Sequence, residues 1–204
     1  MAARDQPAPP VGVVLAGGLG RRIGGDKAVV ELEGRPLIRY VLETLHEVCD
    51  DVVVAAKRDT MLPSLQGQAA LWIEPDQPRH PLAGVAHALQ LAAGRAVLAV
   101  AVDLPLMDAA TLRLLRDAED PDPARPAAVV VPRVHGRLQP LCALYRPSAQ
   151  AGLDALLPDA RATDVVEALG ALVVEPPDPV AFLNVNRPED LLQAAALVQG
   201  LSAR

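Results

Sequence analysis

The feature that most constrains this chain is a recurring unit: a short, continuously apolar run, a loop, then apolar residues at helical spacing. The first run, Val11–Ala16, ends directly on glycines. Asp51–Ala56, Ala70–Glu74 and Ala96–Val102 repeat the pattern, and Ala127–Val131, Leu138–Tyr145 and Ala171–Glu175 read as later strands. Between them, residues 36–48 place Leu37, Ile38, Val41, Leu42, Leu45 and Val48 on one helical face. Helices are also expected over Leu82–Leu91, Ala109–Ala118 and Thr163–Leu169, with Gly94 stopping the first and Asp108 capping the second. A final helix follows Asn186, its expected cap, with Pro188, Glu189 and Asp190 in the first turn. Strands that are apolar on both faces and alternate with helices predict an α/β fold. The expected form is a Rossmann-like three-layer α/β/α sandwich with a mostly parallel central sheet. Right-handed crossovers gather the carboxyl ends of the strands on one edge, and ligands bind outside that edge.

A chain of 204 residues, 51% hydrophobic, suffices for one domain with a sizeable core. The expected organisation is a loose tail over residues 1–10 and a single domain over 11–204. Net charge is -6, which disfavours a protein that covers nucleic acid, and 2% aromatic content is too little for a base-stacking platform. No apolar run reaches membrane-spanning length and the first ten residues lack a signal-peptide core, so the cytoplasm is the expected location. Cys49 and Cys142 lie in apolar company and read as buried, reduced thiols. The four histidines show no zinc spacing, and no nucleophile elbow is present.

The chemistry concentrates in LAGGLGRRIGGDK, residues 15–27. Five glycines and three basic side chains fall within residues 17–27, directly after the first buried strand. Glycines let backbone N–H groups approach phosphate oxygens, and Arg22 and Lys27 supply the charge that a triphosphate requires. The spacing fits neither a dinucleotide fingerprint, because Ile23 stands at the sixth position from Gly18, nor a P-loop, because Asp26 follows Gly25. The competing structural reading is a surface turn with solvated charges.

The loop resembles the L-A-G-G-x-x-x-R-x-G-G-x-K loop of the molybdenum cofactor guanylyltransferases, within the nucleotidyltransferases of the nucleotide-diphospho-sugar type. The resemblance spans most of the chain. It implies GTP as substrate, with Leu15, Ala16 and Gly17 along base and ribose, Gly18 to Arg22 at the phosphates, and Lys27 on triphosphate oxygens. AVDLPLM (101–107) resembles the family's D-x-P motif, which makes Asp103 the expected Mg²⁺ ligand; its plainer reading is a loop aspartate. HPLAG (80–84) resembles G-P-L-A-G, with His80 in place of glycine, and Asp76 best matches the preceding acid beside the nucleoside. Lys57-Arg58 stands where relatives often read Asn-Arg. LQPLCALY (138–145) places Gln139 at the acceptor or in an ordinary edge strand. FLNVNRPEDL (182–191) resembles F-x-N-x-N-T-P-E-D-L, and its alternation turns Asn184 and Asn186 the same way, toward the cofactor.

The resemblance therefore implies transfer of GMP to molybdenum-bearing molybdopterin, with Lys27, Arg22 and Asp103 as the catalytic set and Gln139, Asn184 and Asn186 on the acceptor. Molybdenum-inserting and molybdoenzyme-maturation proteins are the implied partners. A cytidylyltransferase, a sugar-phosphate nucleotidyltransferase, and a non-catalytic nucleotide sensor or cofactor carrier are the alternatives.

Overall fold

The computed structural model describes residues 8–17, 26–157 and 160–202. Gly18 and Arg22, together with residues 1–7, lie outside them, as do the side chains of 201 and 202. The strands are β1 Val11–Leu15, β2 Glu31–Leu32, β3 Arg35–Pro36, β4 Asp51–Ala56, β5 Ala70–Ile73, β6 Val97–Ala101, β7 Val129–Val134, β8 Arg137–Leu138, β9 Cys142–Tyr145 and β10 Leu172–Val174. The α-helices are α1 Leu37–His46, α2 Ala83–Leu91, α3 Ala109–Asp117, α4 Gln150–Leu156, α5 Ala162–Ala168 and α6 Pro188–Ser202.

The main sheet runs β10-β7-β9-β6-β1-β4-β5, with β8 paired to the outer part of β7. All pairings along this path are parallel except those of β9, which lies antiparallel between β6 and β7. Alternate residues of each strand enter opposite layers. Val14, Val54 and Val100 pack with Ile38, Leu42 and Leu45 of α1 and with Leu112 and Leu115 of α3. Val13, Leu15 and Ala99 pack with Val85 and Leu89 of α2, Leu153 of α4 and Val165 of α5. This is the three-layer sandwich expected from the sequence. Gly12 brings α1 close to the sheet: a Cβ there would lie 3.2 Å from Leu45 Cδ2 and 3.3 Å from Cys49 Sγ.

Four local features depart from the expectations. The single strand Leu138–Tyr145 is two strands, β8 and β9, because Pro140 has no N–H for a ladder and the intervening residues turn. That turn is closed by Cys142 N donating to Gln139 O, and the buried Tyr145 hydroxyl donates to Pro140 O at 2.7 Å. Helix α4 and the β2–β3 hairpin were not expected; α4 is anchored by the fully buried Leu153. Asn186 does not cap α6 with its side chain. Asp190 Oδ2 accepts from the backbone N–H groups of Asn186 and Arg187, each at 2.9 Å, which frees the asparagine for another partner. At the amino end, Arg95 Nε donates to Pro9 O at 2.7 Å, so the end of the expected tail is tied to the domain. Asp108 caps α3 as expected, accepting from Thr111 N at 2.7 Å.

Both thiols are buried and free. Burial pushes the Cys49 thiol up to about 11, and Cys142 higher still, so both stay protonated at neutral pH. No helix of the described residues is long and apolar enough to cross a membrane.

Candidate active site

Strand β1 has β4 on one side and β6 on the other. The chain departs from β1 in one direction and returns on its opposite flank, which opens a crevice at the carboxyl ends of β1 and β6. Val102 N donates to Leu15 O at 3.1 Å and holds those two ends together. Leu15 and Ala16 are buried there, and Gly17 leads out into the glycine loop.

Asp103 stands just beyond β6. Lys27, at the start of a short 3₁₀ turn after the loop, puts Nζ 2.6 Å from Asp103 Oδ2. The same ammonium donates to Asn186 Oδ1. Val185 N donates to Asp103 O at 2.9 Å, which pins the 183–186 segment beside the aspartate. Three segments remote in sequence thus converge on one cation. Both charged side chains keep 15% of their surface exposed, so the pair is shielded yet open to a ligand.

The donor set at Asp103 suits Mg²⁺. Asp103 offers a hard carboxylate whose Oδ1 has no hydrogen-bond partner among the described residues, while Oδ2 already tolerates a cation at 2.6 Å. No cluster of three or more metal-ligating side chains occurs among the described residues. Mg²⁺ bound to nucleotides usually takes only one or two carboxylates and completes its shell with phosphates and water. Asp103 fits that mode.

The acid that packs against Gly17 and Gly84 is Glu74, two residues before the expected Asp76. Glu74 is 7% exposed, whereas Asp76 is exposed to solvent. The register explains this placement. Ala56 pairs with Ile73, so the next rung sets Lys57 against Glu74, and their charged atoms are 3.3 Å apart. Lys57 Nζ also donates to Pro75 O. Two glycines leave space for the carboxylate: a Cβ on Gly17 would lie 3.1 Å from Glu74 Oε2, and one on Gly84 only 2.5 Å from Oε1. Gly84→Ala should therefore displace the Glu74 carboxylate while gaining about 1 kcal/mol of helix propensity in α2. The expected result is a melting temperature near that of the parent and weaker nucleotide binding, checked by thermal denaturation and a GTP titration.

The expected acceptor residues Gln139 and Asn184 do meet. They line a cavity of about 270 Å³ with Asp103, Pro81, Leu141 and Thr163. Cys142 also lines it, but burial holds its thiol protonated, so it is a poor nucleophile. His80 serves structure: its Nδ1 accepts from Leu82 N at 3.0 Å, leaving Nε2–H to donate to Ala160 O at 2.8 Å. Arg187 lies 3.6 Å from Glu189 on the exposed start of α6. The sequence reading did not single out Glu74 or Thr163. Glu74 was recoverable only from the β4–β5 register, because an acid after an exposed edge strand carries no signal of burial by itself.

A doubly wound sheet whose first strand runs into a glycine-rich segment, a lysine–carboxylate pair just beyond β6, and an adjoining cavity with no activated nucleophile among the described residues together define a transferase that works on nucleoside triphosphates. More specifically, the chain belongs to the MobA-like NTP transferase family, whose domain matches residues 12–173. It is 34% identical to a molybdenum cofactor guanylyltransferase of Cereibacter sphaeroides over 194 residues, covering 92% of this chain and 96% of that protein. A probable molybdenum cofactor guanylyltransferase of Natronomonas pharaonis is also 34% identical, over 90% of this chain and 95% of that protein. Among solved structures, molybdopterin-guanine dinucleotide biosynthesis protein A of Archaeoglobus fulgidus superposes with a TM-score of 0.74 at 23% identity, over 93% of this chain and 99% of that one. At that identity the likeness speaks for the fold.

Proposed function

We propose that the protein transfers GMP from GTP to the terminal phosphate of molybdenum-bearing molybdopterin, releasing pyrophosphate, and does so in the cytoplasm with Mg²⁺. The observation that carries the reading is the convergence of Lys27, Asp103 and Asn186 just beyond β6, with Gln139 and Asn184 on the wall of the adjoining cavity. The names of the relatives supply the nucleotide and the acceptor.

The chemistry requires no protein nucleophile. An acceptor phosphate oxygen is already anionic at neutral pH. It forms a bond to the α-phosphorus of GTP, the bond from that phosphorus to the bridging oxygen breaks, and the electron pair leaves on pyrophosphate. The protein has to align the two phosphates and offset their charge. Backbone groups of Leu15 to Gly18 hold the nucleotide, and Arg22 and Lys27 hold its β and γ phosphates. Asp103 would hold the metal, which would supply charge neutralisation to the triphosphate. Asn184, Asn186 and Gln139 orient the acceptor phosphate. On the nucleoside side Glu74, held by Lys57, takes the place expected of Asp76. Glu74→Gln should weaken GTP binding about tenfold, the scale of one hydrogen bond to a charged group, and Asp76→Asn should leave it near the parent value. Equal losses in calorimetric titrations of the two variants would return the contact to Asp76.

The function is tested by pyrophosphate release with Mg²⁺, comparing GTP with CTP and adding or omitting molybdenum-loaded molybdopterin. Release only with GTP and acceptor supports the proposal. Release with CTP instead identifies a cytidylyltransferase, and GTP binding without release under loaded conditions identifies a sensor or carrier.

A further inference from the structure

Asp26 ends the glycine-rich segment and stands directly before Lys27. It occupies the cap position of the 3₁₀ turn Lys27–Val29, yet its carboxylate caps no N–H of that turn. Only its backbone carbonyl serves there, accepting from Val29 N at 3.1 Å. The carboxylate instead reaches the segment between β4 and β5, where Oδ2 accepts from Met61 N at 2.6 Å. Met61 takes part through its backbone, since its side chain is exposed. That segment is fixed without Asp26. Thr60 N donates to Lys57 O at 3.1 Å, Arg39 Nη2 to Ser64 O at 2.6 Å and His46 Nε2 to Gln68 O at 2.7 Å, while Leu62 and Leu65 pack on the core. The contact therefore fastens the end of the glycine-rich segment to a platform, and not the platform to the segment. Beyond Lys27 the chain is held by the buried Ala28 and by Leu37 N donating to Val30 O at 2.8 Å. Lys27 thus leaves a backbone clamped on both sides, and Asp26 is the clamp on the amino side.

We propose that Asp26 is a positioning residue: its bond to Met61 N–H sets the direction in which the Lys27 ammonium reaches the β and γ phosphates of the nucleotide. The carboxylate has no ion pair among the described residues. A negative charge beside a triphosphate opposes its binding by Coulomb repulsion, so what Asp26 contributes is geometry and not charge. An asparagine has the same length and keeps an oxygen that accepts from Met61 N–H, and it carries no charge. Alanine has no acceptor, and residue 26 is then free to shift and to turn Lys27 away from the phosphates. A displacement of that kind is felt strongly where alignment is the protein's main task. The inference rests on the nucleotide site proposed above and adds what fixes its lysine.

The test is calorimetric titration of GTP and of GMP into the full chain, for the parent, Asp26→Ala, Asp26→Asn, Lys27→Ala and the double variant of Lys27→Ala with Asp26→Ala. Asp26→Ala should weaken GTP about tenfold, the scale of one hydrogen bond to a charged group. It should leave GMP unchanged, because GMP lacks the phosphates that Lys27 holds, and unchanged GMP binding also shows that the fold survives. Asp26→Asn should bind GTP at least as tightly as the parent. On the Lys27→Ala background Asp26→Ala should weaken GTP no further, since a residue that acts through Lys27 then has nothing to position. In the transfer assay Asp26→Ala should slow turnover and leave KM for the acceptor unchanged, and Asp26→Asn should restore the parent rate. An additive loss on the Lys27→Ala background, equal weakening of GMP, or an Asp26→Asn variant as weak as Asp26→Ala overturns the inference even if GMP transfer proceeds. The expected GTP pattern without any GMP transfer overturns the guanylyltransferase reading and leaves Asp26 its role.

Discussion

Asp103→Ala is expected to lower guanylyl transfer about 10³-fold, because the charge stabilisation that a bound metal gives a phosphoryl oxygen amounts to several kcal/mol. The aspartate is held for this task at both ends. Its backbone carbonyl accepts from Val185 N at 2.9 Å, and its side chain contacts Lys27 at 2.6 Å. The Val185 bond is a backbone contact and survives the substitution, so the 183–186 segment keeps its place. The core beneath, Ala101, Val102 and Leu104, is untouched and buried. Circular dichroism and the melting temperature should therefore match the parent while pyrophosphate release falls. Asp103→Asn separates charge from shape: it keeps the carbonyl acceptor for Lys27 but not the anionic ligand, and it should fall nearly as far as the alanine variant. Near-normal turnover in either variant, measured at saturating Mg²⁺ and GTP, would remove Asp103 from the reaction.

The parallel, doubly covered character of the sheet was legible from hydrophobic pattern, whereas its strand order was not. Val11–Leu15, Asp51–Ala56 and Val97–Ala101 are too apolar to face water on either side, so a parallel, doubly covered sheet is their natural outcome. Local chemistry that competes with pattern was harder to read. Pro140 ends a strand that the apolar run would have carried through to Tyr145. Asp190 takes the capping role that position alone would give Asn186, and only then is Asn186 available to Lys27. The site divides in the same way. Lys27 and Asp103 lie at the ends of recognisable motifs, so sequence pointed to them. Glu74 and Lys57 form a pair that follows from strand register, and Thr163 reaches the cavity wall from α5. Pairings over such sequence distances have no local signature.

Lys27→Ala is expected to lower transfer 10²–10³-fold, about 2.7–4 kcal/mol, if the ammonium stabilises the departing charge as a preorganised donor does. The structure gives this variant a second consequence that separates it from a merely unfolded protein. Lys27 Nζ sits 2.6 Å from Asp103 Oδ2 and also engages Asn186, so in the absence of nucleotide the ammonium lies against the carboxylate that a metal would use. A divalent cation approaching Asp103 alone must compete with that charge. A triphosphate offers the lysine anionic oxygens of its own and draws it off. Loss of Lys27 removes the competitor, so Mn²⁺ binding without nucleotide should tighten while turnover falls. Lys27→Arg keeps the charge but spreads it over a planar fork, and should retain weak metal binding with only partial activity. Because the pair is largely shielded, the melting temperature of each variant is measured beside turnover, which separates a lost charge from a lost fold. The decisive measurement is Mn²⁺ titration by electron paramagnetic resonance on parent and variant without GTP. Tighter binding in Lys27→Ala together with slow transfer places the lysine between metal and phosphate. Unchanged Mn²⁺ affinity would mean that the ammonium does not compete for Asp103.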